Sequence, residues 1–346
     1  MKILHDEDVD DRILQDKTVA IIGYGTQGTA QSNCLKDSGV KVIIGETEIL
    51  GGKRNPSWQK AKSAGFAVMP IAEAARKADI VHILLPDEVQ PMVYEQQIKP
   101  QLKAGKAICF SHGFNICFKR IVPPAGVDVI MVAPKAPGTE ERRAYLEGFG
   151  VPGLVAVKQN PSGKARELAL ALTKAMHWTK AGILECTFEE ETYEDLFGEQ
   201  CVLCGGLVEL MKNGFEVLVE AGYPPEMAYF ECVHEMKLIV DLVWQGGIKH
   251  MAEVVSNTAE YGMWAVGHEI IGPEVKAKMK EALRRVENGE FAQQWVAEYQ
   301  KGIPFLKASR EAIGKHPIET TGEEIRKLFK RIVPQGGDYG VPLGKQ

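Results

Sequence analysis

The sequence predicts an α/β protein in which a doubly wound parallel sheet precedes an all-α domain. Three observations carry this. Between residues 17 and 183, short apolar β-rich runs alternate with amphipathic helical patterns. A glycine-rich turn joins the first run to the first helical pattern. After about residue 184 the strand signals stop, and helical patterns continue to 330. The expected division is therefore 1–183 for the sheet domain and 184–330 for the helical domain. Residues 331–346, rich in Gly and Pro, are expected to be a loosely held tail.

The predicted strands are 18–23, 40–45, 66–69, 80–85, 107–111, 127–133 and 154–157. The run at 80–85 is almost continuously apolar, as in a central strand covered on both faces. Helical patterns at 26–37, 57–64, 71–78 and 163–176 fall between these runs. In the second domain the long helical stretches are 202–220 and 225–244. Gly222, Tyr223, Pro224 and Pro225 break the first and place a proline near the start of the second. Gln245, Gly246 and Gly247 stop the second. The patterns at 273–288 and 290–301 are more polar and are expected outside.

Composition narrows the function classes. The chain has 346 residues, 45% hydrophobic and 25% charged, which suits two globular domains. A net charge of −5 gives no argument for nucleic acid or an anionic membrane. No apolar run approaches the ~18 residues of a membrane span. The first residues turn acidic at Asp6, Glu7 and Asp8 without an apolar signal core, so a cytoplasmic location is expected. Seven scattered cysteines read as reduced thiols, and Cys201 with Cys204 as core packing within an apolar helix.

Residues 21–28 carry Gly23-Tyr24-Gly25-Thr26-Gln27-Gly28 between a strand and a helix. The first glycine permits the turn, the second lets backbone approach a pyrophosphate, and the third allows close helix packing. This is the Rossmann arrangement for a dinucleotide. Glu46 follows the second strand, where an acid bonds a ribose 2′-hydroxyl and repels a 2′-phosphate. Lys53, Arg54 and Ser57 in the same loop suit a phosphate instead.

Asp195 and Glu199 are four residues apart, and so are Glu231 and Glu235. Acids at this spacing share one face of an α-helix, about 6 Å apart. In apolar surroundings they repel unless a cation lies between them. Two such pairs face to face make an all-oxygen site suited to Mg²⁺.

With these residues in place, the chain resembles the ketol-acid reductoisomerases (acetohydroxyacid isomeroreductases) in their short, class I form. Matching segments run in order over roughly 5–330: the glycine loop, Leu84 to Gln90, Ser111 to Asn115, Ala133 to Gly138, Asp195 to Gln200, Phe230 to Glu235, and Ser256 to Gly262. The resemblance implies a knotted helical domain, two Mg²⁺ ions per site and NAD(P)H. It implies a 1,2-alkyl shift in a 2-acetohydroxy acid, then reduction to a 2,3-dihydroxy-3-methyl acid of valine and isoleucine synthesis. Asp87, Gln90 and Gly138 then border the cofactor. Asp195, Glu199, Glu231 and Glu235 become metal ligands, with Asp195 bridging. His112, Lys135 and Glu235 become catalytic, and Ser256 contacts substrate. A homo-oligomer, a dimer or assembly of dimers, is implied as well. Where the family commonly has Gly-Leu-Arg after the second strand, this chain reads Gly45-Glu46-Thr47, so the Arg is missing and an acid has appeared; the loop before Ser57 is also longer, and NADH is expected over NADPH. Thr139 stands where the family often has His.

Rival chemistries fit less well. A metal-free β-hydroxyacid dehydrogenase does not need four paired acids. A di-iron bundle needs a second Glu-x-x-His, and a zinc protease needs a second His after His234. A nucleotide sensor without turnover is the remaining, non-enzymatic alternative.

Overall fold

Strand β1 (Thr18–Ile22) is buried along its whole length and leads through the glycine turn into α1 (Thr26–Asp37). The chain then alternates through β2 (Lys41–Gly45), a small hairpin β3–β4 (Ile49–Leu50 and Lys53–Arg54), α2 (Pro56–Ser63), β5 (Ala67–Met69), α3 (Ile71–Lys77) and β6 (Ile80–Ile83). It continues through α4 (Gln90–Val93), β7 (Ala107–Phe110), α5 (Phe114–Cys117), β8 (Asp128–Pro134), α6 (Gly138–Leu146), β9 (Gly153–Gln159), α7 (Ala165–Ala175), α8 (Trp178–Ala181) and β10 (Ile183–Glu185). This computed structural model describes residues 2–329; the tail expected at 331–346 lies outside them.

The sheet has eight strands in the order β10-β9-β8-β7-β6-β1-β2-β5. The six from β8 to β5 are parallel, whereas β9 pairs antiparallel with β8. The sheet is thus mixed at one edge, a departure from the wholly parallel expectation. Strand β10, too short to show a pattern, pairs parallel with β9. Leu4 forms an isolated bridge to Ile183.

Successive side chains of β1 enter different cores. Val19 and Ile21 pack with Cys34 and Leu35 of α1 and with Leu168 and Leu172 of α7. Ala20 and Ile22 pack with Ile71 and Ala74 of α3. Each fully buried Val, Leu or Ile contributes roughly 1.5–3 kcal/mol. The same two-sided burial at β6 explains the almost continuous apolar run at 80–85.

One compact unit closes at Thr192 and the next opens at Tyr193, within helix α9 (Phe188–Gly198). The second unit contains α10 (Gly205–Glu220), α11 (Pro225–Tyr229), α12 (Met236–Val254), α13 (Asn257–Ile270), α14 (Pro273–Glu287), α15 (Glu290–Gln300), α16 (Pro304–Gly314) and α17 (Pro317–Phe329). Gly247, at φ 82° and ψ 175°, kinks α12 where the glycine pair predicted a stop. The unit's own apolar cluster is small, centred on Phe215, Ala228, Tyr229, Ile318 and Ile325. Trp244, Tyr261 and Phe305 are 87%, 75% and 74% exposed. Cys204 is also exposed, so core packing fails for it within one chain.

Candidate active site

The turn after β1 forms a cradle that only glycine can build. Gly23 lies at φ +96°, and a Cβ there would stand 2.9 Å from the Leu84 carbonyl oxygen. A Cβ on Gly28 would stand 2.1 Å from the Gly23 carbonyl oxygen, so the third glycine lets α1 close onto the loop. Gly138 meets the same helix, its Cβ position being 2.8 Å from the Thr26 carbonyl oxygen. Around a Cβ on Gly25, by contrast, no atom lies within 4 Å. Gly25 is the N-cap of α1 and has no side-chain cap. Open space before the uncapped amides of this helix fits a pyrophosphate. The Tyr24 ring is buried against Phe66, so what Tyr24 offers a nucleotide is backbone.

Glu46 joins the cradle to the loop that follows β2. Its Oε2 accepts the Tyr24 N–H at 3.0 Å. Its Oε1 accepts the Thr47 N–H at 2.8 Å and the Asn55 side-chain amide at 3.3 Å. Burial raises this carboxyl above its ordinary range, against the lowering effect of those donors. Oε2 keeps capacity for a second bond, as from a ribose hydroxyl. Asn55 also caps α2 by accepting the Ser57 N–H at 2.9 Å. Arg54, a candidate phosphate grip, pairs with Glu48 at 3.1 Å.

Beyond the carboxyl ends of β6 and β7, two loops are stitched together. The Gln90 amide donates to the Leu85 carbonyl at 2.8 Å and to Asp87 Oδ1 at 3.3 Å. Asn115 donates to Gln90 Oε1 at 3.1 Å and to the Asp87 carbonyl at 2.9 Å. Gln90 is therefore buried inside the loop framework and braces Asp87. Burial pushes the Asp87 carboxyl up to about 6, with His112 opposing the shift.

His112 follows β7 and is half-buried. Its Nδ1 lies 3.2 Å from Glu191 Oε1, and Glu191 Oε2 accepts the Gly113 N–H at 3.0 Å. A Cβ on Gly113 would stand 2.3 Å from Thr192 Oγ1, so glycine is needed beside α9. Glu191 was not among the expected site residues. Glu191, Asp195 and Glu199 form an i, i+4, i+8 series, a signal present in the sequence. Lys135 follows β8 and is half-buried, its N–H donating to the Pro152 carbonyl at 2.9 Å.

Both expected metal pairs sit at π turns. Glu199–Leu203 is a π-helix closed by Cys204 N–H to Glu199 O at 3.0 Å. Phe230–His234 is another, closed by Glu235 N–H to Phe230 O at 3.0 Å. Such insertions recur at functional sites because they re-aim side chains. They also alter the expected geometry: Glu231 to Glu235 spans a π turn, not an α turn. Glu199, Glu231 and Glu235 are exposed. Among the described residues, no group of three or more metal-ligating side chains includes any of these three. Their carboxylates remain the hard-oxygen donor set that suits Mg²⁺.

Ser256 is the N-cap of α13, its Oγ accepting the Ala259 N–H at 3.2 Å. That use leaves the hydroxyl hydrogen to donate. Ser256 is exposed at a helix N-terminus, a setting that favours a carboxylate.

A Rossmann-type nucleotide unit joined to an all-helical unit bearing paired acids defines a two-unit, dinucleotide-dependent oxidoreductase. Comparison with known proteins narrows this. Residues 13–182 match the family model "Acetohydroxy acid isomeroreductase, NADPH-binding domain", and 188–331 match "Ketol-acid reductoisomerase, C-terminal domain". The chain is 84% identical to a "Ketol-acid reductoisomerase (NAD(+))" of uncultured archaeon GZfos26G2, over 95% of this chain and 99% of that one. It is 62% identical to a "Ketol-acid reductoisomerase (NADP(+))" of Akkermansia muciniphila, over 96% and 100%. A solved NADH-preferring ketol-acid reductoisomerase from an uncultured archaeon matches with a TM-score of 0.94 at 84% identity, over 95% of this chain and 100% of that one. The chain belongs to the ketol-acid reductoisomerase family. No helix among the described residues is long and apolar enough to cross a membrane.

Proposed function

We propose that this chain converts a 2-acetohydroxy acid to a 2,3-dihydroxy-3-methyl acid by alkyl migration and then reduction, using NADH in preference to NADPH. The observation that carries this reading is the pairing of buried Glu191 with His112, on the same helix as Asp195 and in the same unit as the glycine cradle. Residues 1–183 are read as the nucleotide-binding part and 184–330 as the metal- and substrate-binding part.

Gly23, Gly25 and Gly28 seat the pyrophosphate, with Thr26 and Gln27 in the first turn of α1. Glu46 selects against a 2′-phosphate by charge. Ser57 stands at the start of α2, and Asp87, Gln90 and Gly138 frame the nicotinamide end. Asp195, Glu199, Glu231 and Glu235 would hold two Mg²⁺ ions. Bound there, Mg²⁺ supplies Lewis acidity toward the substrate's hydroxyl and carbonyl oxygens, and the nicotinamide supplies hydride.

The protein's own groups do the rest. Glu191 accepts from His112 Nδ1 and so leaves Nε2 to exchange a proton with substrate or water. Lys135 orients the substrate as a donor. Ser256 donates to the substrate carboxylate. Glu235 relays a proton where it is not engaged with metal.

Homo-oligomers, dimers or assemblies of dimers, are part of the proposal. Trp244, Tyr261 and Phe305 are large aromatics left exposed in the single chain, which suits a surface covered by a second copy. A second copy could also bring further ligands to the exposed carboxylates of Glu199, Glu231 and Glu235. A cytoplasmic setting, with no nucleic acid or membrane partner, accords with the net charge of −5.

The test is acetolactate-dependent NADH oxidation after EDTA stripping, with and without restored Mg²⁺. Loss on stripping and recovery with Mg²⁺ are expected. Full activity in the stripped protein would instead favour a metal-free β-hydroxyacid dehydrogenase. A tenfold or larger kcat/KM advantage for NADPH would overturn the NADH assignment.

A further inference from the structure

A histidine interrupts an otherwise apolar central strand of the sheet. His82 occupies β6 between β1 and β7, paired in register with Ile21 and Cys109, and is fully buried. Strand alternation puts it on the face that packs against α1. An uncompensated imidazole there costs desolvation, and any aliphatic residue would fill the space without that cost.

His82 is the closed end of a buried polar chain. Its Nε2 lies 3.2 Å from Ser111 Oγ. Gln31, fully buried on α1, donates from Nε2 to the same hydroxyl at 3.0 Å and to Gln27 Oε1 at 3.3 Å. Gln27 donates in turn to the Ala136 carbonyl at 3.3 Å. Burial pushes the His82 imidazole down to about 3, so it is neutral. Its Nδ1 has no partner among the described residues. The less costly tautomer carries the proton on Nε2 and donates to Ser111, because a bare buried acceptor is better tolerated than a buried N–H without an acceptor.

The positions joined by this chain give it meaning. Ser111 immediately precedes His112, Ala136 immediately follows Lys135, and Gln27 belongs to the glycine loop. We infer that His82, Ser111, Gln31 and Gln27 form a positioning strut that fixes the His112 and Lys135 strand ends against the dinucleotide loop. The strut rests on the assignment of His112 and Lys135 made above. Each member is a positioning residue, because none of the four bonds reaches a reacting atom.

The experiment uses the full-length protein, Ser111→Ala, Gln31→Leu and the double variant. NADH affinity is measured in the EDTA-stripped protein by fluorescence titration, and kcat with Mg²⁺ and acetolactate. Each single variant is expected to weaken NADH binding about three- to tenfold and to lower kcat about 10–100-fold, since small misplacements cost that much. The double variant is expected to lose no more than the worse single, because one chain is cut either way. His82→Gln, whose amide still donates to Ser111, is expected to retain kcat, and His82→Leu to lose it. Unchanged NADH affinity and kcat in the singles, multiplicative losses in the double, or equal behaviour of the two His82 variants would each overturn the strut. His112→Gln is run in parallel. If it keeps full activity, the site assignment itself fails; if it alone is inactive, only the strut does.

Discussion

The carboxylate of Glu191 holds two consecutive residues at once, His112 through Nδ1 at 3.2 Å and Gly113 through its N–H at 3.0 Å. Its side chain is only 2% exposed. A buried acid in that position fixes both the ring orientation and the tautomer of His112.

Glu191→Gln tests this. An amide can accept from only one of the two donors and carries no charge, so the ring loses its fixed orientation. The expected result is a kcat about 10–100-fold lower, with NADH affinity within twofold of the parent. An equal loss of NADH affinity would mean that Glu191 supports the whole sheet edge and not the histidine.

Glu46 allows charge to be separated from loop geometry. Glu46→Gln keeps an acceptor for Tyr24 or Thr47 but removes the negative charge; Glu46→Arg removes the acceptors too. With Glu46→Gln, the NADPH-to-NADH ratio of kcat/KM is expected to rise roughly tenfold, equivalent to about 1.4 kcal/mol. Glu46→Arg is expected to lower NADH use further, because the bond that orients the Asn55 side-chain amide is lost. An unchanged ratio in both would assign selection to the β3–β4 hairpin.

The paired acids make a prediction about copies. Asp195→Asn and Glu231→Gln are each expected to abolish Mg²⁺-dependent turnover. If a site takes Asp195 from one copy and Glu231 from another, co-expressed variants should regain about a quarter of parental activity, through dimers with one intact site. No recovery would show that each chain completes its own site.

The sheet was largely legible because both signals were local. Alternating runs marked seven strands, and the glycine loop marked the cradle, whose close contacts at Gly23 and Gly28 follow from the motif. What escaped depends on pairing at a distance or on subtle winding. Strand β10 is three residues long, and its partner β9 is distant in sequence. The π turns at 199–203 and 230–234 close their hydrogen bonds one residue later than an α turn, which no apolar period reveals. Glu191 escaped for a different reason. It extends the Asp195–Glu199 spacing, but a third acid on a helix is usually a solvated one. Only the fold shows that it is buried on His112.

Glu141 supplies a stability signature unrelated to turnover. It lies on α6 and is 1% exposed, with Oε1 accepting the Trp178 indole N–H at 3.1 Å and Oε2 without a partner among the described residues. Burial pushes its carboxyl up to about 8, which the Trp178 bond only partly offsets. An unfolded Glu titrates near 4.3, so between about 4.3 and 8 the folded state binds the extra proton. Stability from this group is therefore complete below that window and lost as pH rises through about 8. Asp87 acts in the same direction but titrates near about 6, so a scan between pH 6.5 and 8.5 isolates Glu141. Over that range the cost is about 2 kcal/mol, on the order of 4 °C in Tm. Glu141→Gln keeps an acceptor for Trp178 and cannot ionise. The fall in Tm between pH 6.5 and 8.5 is expected to shrink by that amount in the variant, measured by calorimetry without cofactor or metal. A variant with the same pH slope as the parent would show that Glu141 does not carry a proton in the folded protein at neutral pH.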